Sequence, residues 1–250
     1  MKLEITFELE KPLRISIHYH YEVQGLIYGK MSKDYGDFMH GDGYKKEGKS
    51  YKLFSFSRLE GKSKFNKKYK EITFYDNVKI TISSIIPHFL RDLANNFMLS
   101  DSIYLFNHKL KVTQIKTIED LVNTNKILVR AISPITTYTT YERRDGSKFT
   151  HYFKPEEQAF QHLVEENVIN KYETYYNTKL NTKTRFLIKP VKVTQKDKVV
   201  TKYKNTIINA WGGLYRLEAS KELLEFALAV GASSKASQGF GLLSLEKELT

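Results

Sequence analysis

Two tandem ferredoxin-like (RRM-like) units with antiparallel sheets, an α+β fold, are what this sequence predicts, and three observations predict it. Residues 1–116 follow the order β-α-β-β-α-β, which is the order of that unit. Strands interrupted by two helices recur over residues 126–247. The chain has 250 residues, 41% hydrophobic and 27% charged, enough for one large domain or two small ones at roughly 100–200 residues each.

Residues 1–10 alternate polar and apolar side chains, a strand pattern. Over 19–31, Val23, Leu26, Ile27 and Met31 make one apolar helical face. Residues 32–50 are rich in Gly, Asp and Lys and read as a loop; 51–59 read as an aromatic strand and 61–70 as a basic turn. Residues 71–76 and 78–86 form a hairpin through Asp76-Asn77. Pro87 opens a helix over 88–98, a position where proline is tolerated. One or two strands follow over 102–116.

In the second half, 126–139 pairs with 147–154 across a turn holding Arg143 and Arg144. A long helix spans 155–176, with Phe160, Leu163, Val164 and Ile169 among its apolar positions. Residues 184–194 and 198–209 form a hairpin around Gln195-Lys196-Asp197. A strand over 210–218, a helix over 220–230, a glycine-containing loop over 231–241 and a last strand over 242–247 complete the chain. Trp211 belongs to the core, with Gly212-Gly213 a bulge or tight bend beside it. The expected domains are 1–117 and 124–250, with no clean sequence repeat between them.

Composition narrows the function. No cysteine is present, which excludes a disulfide framework, thiol catalysis and thiolate zinc sites. No apolar run reaches the ~18 residues of a membrane span, and the N-terminus builds no signal-peptide core. A soluble, cytoplasmic protein without a membrane partner is expected. Lys and Arg number 40 against 28 Asp and Glu, a net +12, and 32 of the 40 are Lys. Such a surface attracts polyanions, and lysine's point charge suits phosphates better than base edges. The alternative source of the same excess is a lysine-rich composition of the whole proteome.

The segment Gly231-Ala232-Ser233-Ser234-Lys235-Ala236-Ser237-Gln238-Gly239-Phe240-Gly241 carries small residues that admit close backbone approach to a phosphate, and a central Lys235. Helix, loop and strand come in the reverse order of the nucleotide-binding glycine motifs, so the alternative is a plain connection. Of the seven His, His40 lies in Met39-His40-Gly41-Asp42-Gly43, where glycines leave an imidazole accessible. Tyr28 lies twelve residues earlier and Lys52 twelve later; a helix end, a returning loop and a strand start can converge. His18 and His20 share a face if extended, but no third ligand is near and no metal is expected. His88, His108, His151 and His162 sit in helix or strand patterns.

A loop of the form Gly-apolar-small, five residues, then Gly-apolar-Gly, near the end of a basic, doubly ferredoxin-like chain, resembles the signature of repeat-associated RNA-binding proteins of CRISPR systems. Within them the sequence most resembles the precursor-cutting endoribonuclease, the sixth Cas family. Gln24-Gly25-Leu26-Ile27-Tyr28, the His40 loop and Lys52-Leu53-Phe54-Ser55-Phe56-Ser57 add to the likeness, while Ser233 replaces the loop's second glycine. The resemblance implies a central RNA-binding cleft and catalytic residues at Tyr28, His40 and Lys52. His40 would be general base or acid, Lys52 the phosphate stabiliser, and Tyr28 would orient the ribose or support proton transfer. The expected reaction is metal-independent and needs no cofactor. The ribose 2′-OH attacks, leaving a 2′,3′-cyclic phosphate (or its hydrolysed form) and a 5′-OH.

RNA contacts are expected from Lys45, Lys46 and Lys49, from Arg143 and Arg144, from Lys183, Arg185, Lys189 and Lys192 on one hairpin face, and from Gly231, Ser233, Lys235, Ser237, Gly239 and Gly241. Lys62–Lys70, with Phe65 and Tyr69, combines charge with stacking surface. The implied partner is CRISPR repeat RNA, as precursor and product, with an effector complex or a second copy as further partners. The rival readings are a non-catalytic repeat-binding subunit and a general nucleic-acid chaperone.

Overall fold

The computed structural model describes residues 1–181 and 183–249, with residue 40 described by its backbone alone. The first half runs β1 (Lys2–Leu9), β2 (Leu13–Ser16), α1 (His20–Tyr28), α2 (Lys33–His40), β3 (Tyr44–Lys46), β4 (Lys49–Tyr51), β5 (Phe54–Phe56), β6 (Ser63–Asn66), β7 (Glu71–Phe74), β8 (Asn77–Ser84), α3 (Pro87–Met98), β9 (Ile103–Leu105) and β10 (His108–Ile118). The second runs β11 (Lys126–Ala131), β12 (Tyr138–Glu142), β13 (Lys148–Tyr152), α4 (Gln158–Tyr176), β14 (Leu187–Lys192), β15 (Lys198–Tyr203), β16 (Thr206–Trp211), β17 (Leu214–Glu218), α5 (Lys221–Val230) and β18 (Leu243–Glu248).

Two sheets carry the architecture, in the orders β5-β8-β1-β10-β9 and β14-β17-β11-β18. Numbered by their place in each β-α-β-β-α-β unit, both read second, third, first, fourth, with β9 added at the edge of the first sheet, and every pairing is antiparallel. Two tandem ferredoxin-like units are therefore present. In β1 the period of two buries Leu3, Ile5 and Phe7. In β8 it buries Val78, Ile80 and Ile82.

Helix α5 joins the units. Leu223, Leu224 and every residue from Phe226 to Val230 are buried, as expected of a helix whose C-terminal half is apolar on all sides. It packs on β18 and α4 of its own unit and on β5 and β8 of the other. Ser83 of β8 donates its hydroxyl to Ala229 O at 2.7 Å, so one sheet helps to satisfy the carbonyls at the end of the other unit's helix.

Several expectations need correction. Residues 32–50 are not a loop: Tyr35, Phe38 and Met39 fall on one side of α2, with Met39 fully buried and the Tyr35 ring 5.2 Å from Phe89. The β3–β4 hairpin follows, closed by Glu47 and Gly48 at φ 49° and 75°, the left-handed pair that a two-residue hairpin turn requires. The basic turn over 61–70 contains β6, which joins β7 and β2 in a separate three-stranded sheet. Strands β7 and β8 consequently do not pair with each other: Asp76, at φ 65°, diverts the chain into the large sheet. Nor do β14 and β15 pair. Thr194 and Asp197 form a capping box around one turn of 3-10 helix, β14 joins β17, and β15 turns back on β16. Trp211 closes β16 and is buried, and Gly213 at φ 101° breaks the expected 210–218 strand before β17.

Candidate RNA-binding and cleavage site

Helix α1 divides its residues between core and groove. Val23 and Ile27 are buried, while Tyr21, Gln24, Gly25 and Tyr28, at helical spacing on the other face, line an open groove. Met39 of α2, Lys52, the Tyr203–Lys204 turn after β15, and Ser237 and Gln238 of the glycine loop complete it. Tyr28 and Lys52, far apart in sequence, thus share one groove, and Met39 puts the end of α2 in its wall. The His40 side chain lies outside the described residues, so its expected role is carried by its backbone position alone, at the last turn of α2.

Lys52 sits in the break between β4 and β5. Leu53 adopts φ 49°, uncommon for a residue other than glycine, and buries its own side chain while Lys52 remains partly exposed. Ser84 holds this kink by donating to Leu53 O at 2.8 Å. Gly43, at φ 56°, leaves room for the ammonium: a Cβ there would lie 3.0 Å from Lys52 Nζ and 2.9 Å from Tyr51 O. Desolvation lowers the Lys52 pKa, with Asp42 opposing and Lys45 adding to the shift. Burial pushes the Tyr28 hydroxyl up to about 12, so at neutral pH it stays protonated. Its ring packs edge-on to Phe54 at 6.0 Å.

The glycine loop is shaped by packing against the first unit. A Cβ on Gly239 would lie 2.5 Å from the Phe56 ring and 2.9 Å from His20, and one on Gly231 would lie 2.9 Å from Ser55 Cβ. Most of its backbone N–H groups are already engaged: those of Gly231, Ala232, Ser234, Gln238, Gly239 and Gly241 reach Ala227, Gly241, Thr136, Lys235, Ala236 and Pro134 carbonyls, and that of Lys235 reaches the Ser233 hydroxyl. Gly231, Ser233, Gly239 and Gly241 are buried or nearly so, and the Ser233 hydroxyl donates to Thr136 O at 2.9 Å. Close chain-to-chain packing, rather than approach to a phosphate, is what these four positions provide. Within the loop, Lys235 and Ser237 are the expected RNA-binding residues whose side chains remain accessible.

Two residues to which sequence reasoning gave no role hold the loop in place. Gln24 donates to Ser237 O at 2.6 Å and accepts from the Tyr203 hydroxyl, binding α1, the loop and β15 together. Its spacing four residues before Tyr28 was the available signal. Lys171 of α4 is wholly buried and donates to Gly231 O at 2.8 Å and Ser233 O at 3.2 Å, and burial lowers its pKa to about 7. No local pattern distinguishes it from the chain's other lysines.

The remaining residues expected to bind RNA are dispersed. Lys45 pairs with Asp42, and Lys46 is held by Glu173 and Asn170 of α4, pinning the β3–β4 hairpin. Lys49 lies 3.4 Å from Glu166. Arg143 and Arg144 are exposed on the β12–β13 turn, with Arg143 over the Phe149 ring at 5.2 Å. Lys183 and Arg185 lie between α4 and β14, and Lys189 and Lys192 on β14 at the second sheet's edge. The expected single lysine-lined hairpin face does not exist, because its two strands belong to different sheets. On β15, however, Lys198 and Lys202 face outward and lead to Lys204, whose ammonium lies over Tyr21 at 4.9 Å, at the groove.

His18 and His20 do not form a pair. His18 Nδ1 accepts from Lys202 N at 3.0 Å. His20 is stacked between Tyr19 and Phe240, with burial lowering its pKa to about 4. Among the described residues no cluster of three or more His, Cys, Asp or Glu could hold a metal ion, and no helix is long and apolar enough to cross a membrane.

Comparison with known proteins gives a consistent result. A family model described as CRISPR associated protein Cas6, C-terminal, matches residues 115–245. The CRISPR-associated endoribonuclease Cas6 1 of Methanocaldococcus jannaschii is 23% identical over 249 residues, covering 97% of this chain and 92% of that protein. The CRISPR-associated endoribonuclease Cas6 of Pyrococcus furiosus is 22% identical, covering 96% and 87%. A solved structure of a Cas6-related protein from Pyrococcus furiosus superposes with a TM-score of 0.84 at 20% identity, over 100% of this chain and 99% of that one.

Proposed function

This chain belongs to the CRISPR-associated Cas6 family, and from that premise we propose that it binds CRISPR repeat RNA and cuts the precursor within each repeat to release guide RNAs. The observation that carries the reading is the groove itself. Tyr28, Lys52 and the glycine loop line it together, and the backbone of His40 follows Met39 in its wall.

The chemistry follows from the residue types. RNA supplies its own nucleophile, so cleavage requires deprotonation of a 2′-OH, stabilisation of charge on phosphorus and protonation of the leaving 5′ oxygen. His40 is the proton carrier suited to neutral pH. Lys52 neutralises the charge developing on the phosphate. Tyr28, with its raised pKa, acts as a hydrogen-bond donor that orients the ribose or phosphate rather than as a base. No metal is required for this division of labour. Lys204, Lys202 and Lys198 continue the groove as a track for backbone phosphates. Domains 1–117 and 124–250 act as the two walls, and the cytoplasm is the compartment in which such a transcript is met.

The test uses purified protein in excess EDTA with repeat RNA and with the same RNA carrying a 2′-deoxy at the cut. Wild type is expected to cut once per repeat in EDTA, to spare the 2′-deoxy strand, and to leave a 2′,3′-cyclic phosphate. His40→Ala is expected to bind but not cut. Tight binding without any cut by wild type would instead identify a structural subunit, and cleavage lost to EDTA would overturn the metal-free mechanism.

A further inference from the structure

A cavity of about 470 Å³ lies beside the groove and shares Lys52 and Ser237 with it. Its volume falls within the range of small-ligand sites (~300–1,000 Å³). One wall is a stripe of α4 in which Leu163, Asn167, Asn170 and Lys171 recur at helical spacing. Phe160, Val164 and Val168 make the adjoining stripe fully apolar, so the amide and ammonium groups on this wall are a departure from a plain packing face. The lining also includes the Tyr138 ring, with the Lys235 ammonium over it at 4.9 Å.

The polar groups in the α4 wall are incompletely matched. Asn167 Oδ1 is buried and accepts no hydrogen bond among the described residues, a state that costs about 1–3 kcal/mol unless a donor arrives. When protonated, Lys171 spends two of its three N–H donors on Gly231 and Ser233. Glu166, on the same wall, is held by Lys49 at 3.4 Å. The cavity thus offers an unfilled acceptor beside a donor, next to an aromatic face.

Resting on the reading of the groove as the RNA-cleavage site, we propose that this cavity receives one unstacked base of the RNA from a nucleotide next to the cut. Asn167 would accept from the base's exocyclic amine, Lys171 would donate to its neighbouring ring nitrogen or carbonyl, and Tyr138 would provide the stacking face. A nucleotide whose phosphate lies at Lys52 adjoins the cavity through the residues common to both. Uracil meets the same pair through its N3–H and an adjacent carbonyl, so the cavity requires a base without selecting among the four.

Binding of a repeat RNA made uncleavable by a 2′-deoxy at the cut tests this, with each flanking nucleotide made abasic or replaced by each of the four bases in turn. At one flanking position wild type is expected to lose about tenfold or more on abasic substitution, the scale of at least one buried hydrogen bond, and to accept all four bases. Asn167→Ala should bind the unsubstituted RNA about tenfold more weakly and distinguish the abasic form less than wild type does, since Lys171 and Tyr138 still meet the base. Asn167→Asp, which keeps an accepting oxygen, should restore the distinction. Equal losses for wild type and Asn167→Ala at every position, or no abasic loss for wild type at either flank, would overturn the inference. Because the readout is binding, that result stands apart from a failure to cut, which would overturn only the catalytic reading.

Discussion

Gly43 governs Lys52 without touching substrate. Its positive φ and the 3.0 Å approach of Lys52 Nζ to any Cβ mean that Gly43→Ala strains the turn by about 1 kcal/mol and displaces the ammonium. Cleavage should fall about tenfold or more with repeat-RNA affinity retained, and adding Gly43→Ala to Lys52→Ala should cost nothing further. Single-turnover rates and binding measured on the three variants check this. Lys171 makes a second residue-scale prediction. Its pKa is held at about 7 against an ordinary 10.5, so between those values the unfolded chain binds the additional proton and this group's contribution to stability rises with pH. Lys171→Met leaves two carbonyls without a donor, a loss of about 1–3 kcal/mol. Urea midpoints should show the gap to wild type widening from about pH 6 to about pH 9.

At the scale of elements, the glycine loop acts as a packing joint. Gly239→Ala would drive a methyl into Phe56 and His20 at a left-handed φ, costing about 1–3 kcal/mol. Phe56→Leu should recover part of that loss, and thermal midpoints of the single and double variants measure it. The loop's place in the chain was legible, since glycines punctuate a helix-to-strand connection whatever they do; its purpose was not, because Phe56 and His20 are distant in sequence. Helices α1, α3, α4 and α5 were legible from apolar spacing and from Pro87. Helix α2 was hidden because Gly36, Gly41 and Gly43 surround a stripe of only Tyr35, Phe38 and Met39. Strand positions were readable while partners were not. Assuming that neighbours in sequence pair misassigned β7–β8 and β14–β15, where Asp76 and a capped 3-10 turn redirect the chain. In the site, Tyr28 and Lys52 could be proposed from spacing and resemblance, whereas Gln24 and Lys171 act through long-range bonds that no local pattern encodes.

For the molecule as a whole, the net +12 becomes meaningful through its layout. Lys45 and Lys46 are committed to Asp42 and Glu173, and the outward row Lys198, Lys202 and Lys204 is the stretch that leads to the groove. Affinity for repeat RNA should fall with salt, and Lys198→Glu with Lys202→Glu should flatten the log–log slope by about 0.7 for each phosphate left without its lysine. Charge reversal at Lys62 and Lys64, beside and on the separate three-stranded sheet, should leave the slope closer to wild type. Titrations across a salt series distinguish the two.

The burial of α5 against both sheets has one more consequence. Parting the two units like a clamshell would strip that helix from one sheet and break the Ser83–Ala229 bond, so the walls of the groove are fixed relative to each other. A strand must then be laid in sideways through the open face rather than enclosed by closing jaws. Lateral loading needs no free end, as the proposed cutting of a long transcript at its internal repeats requires.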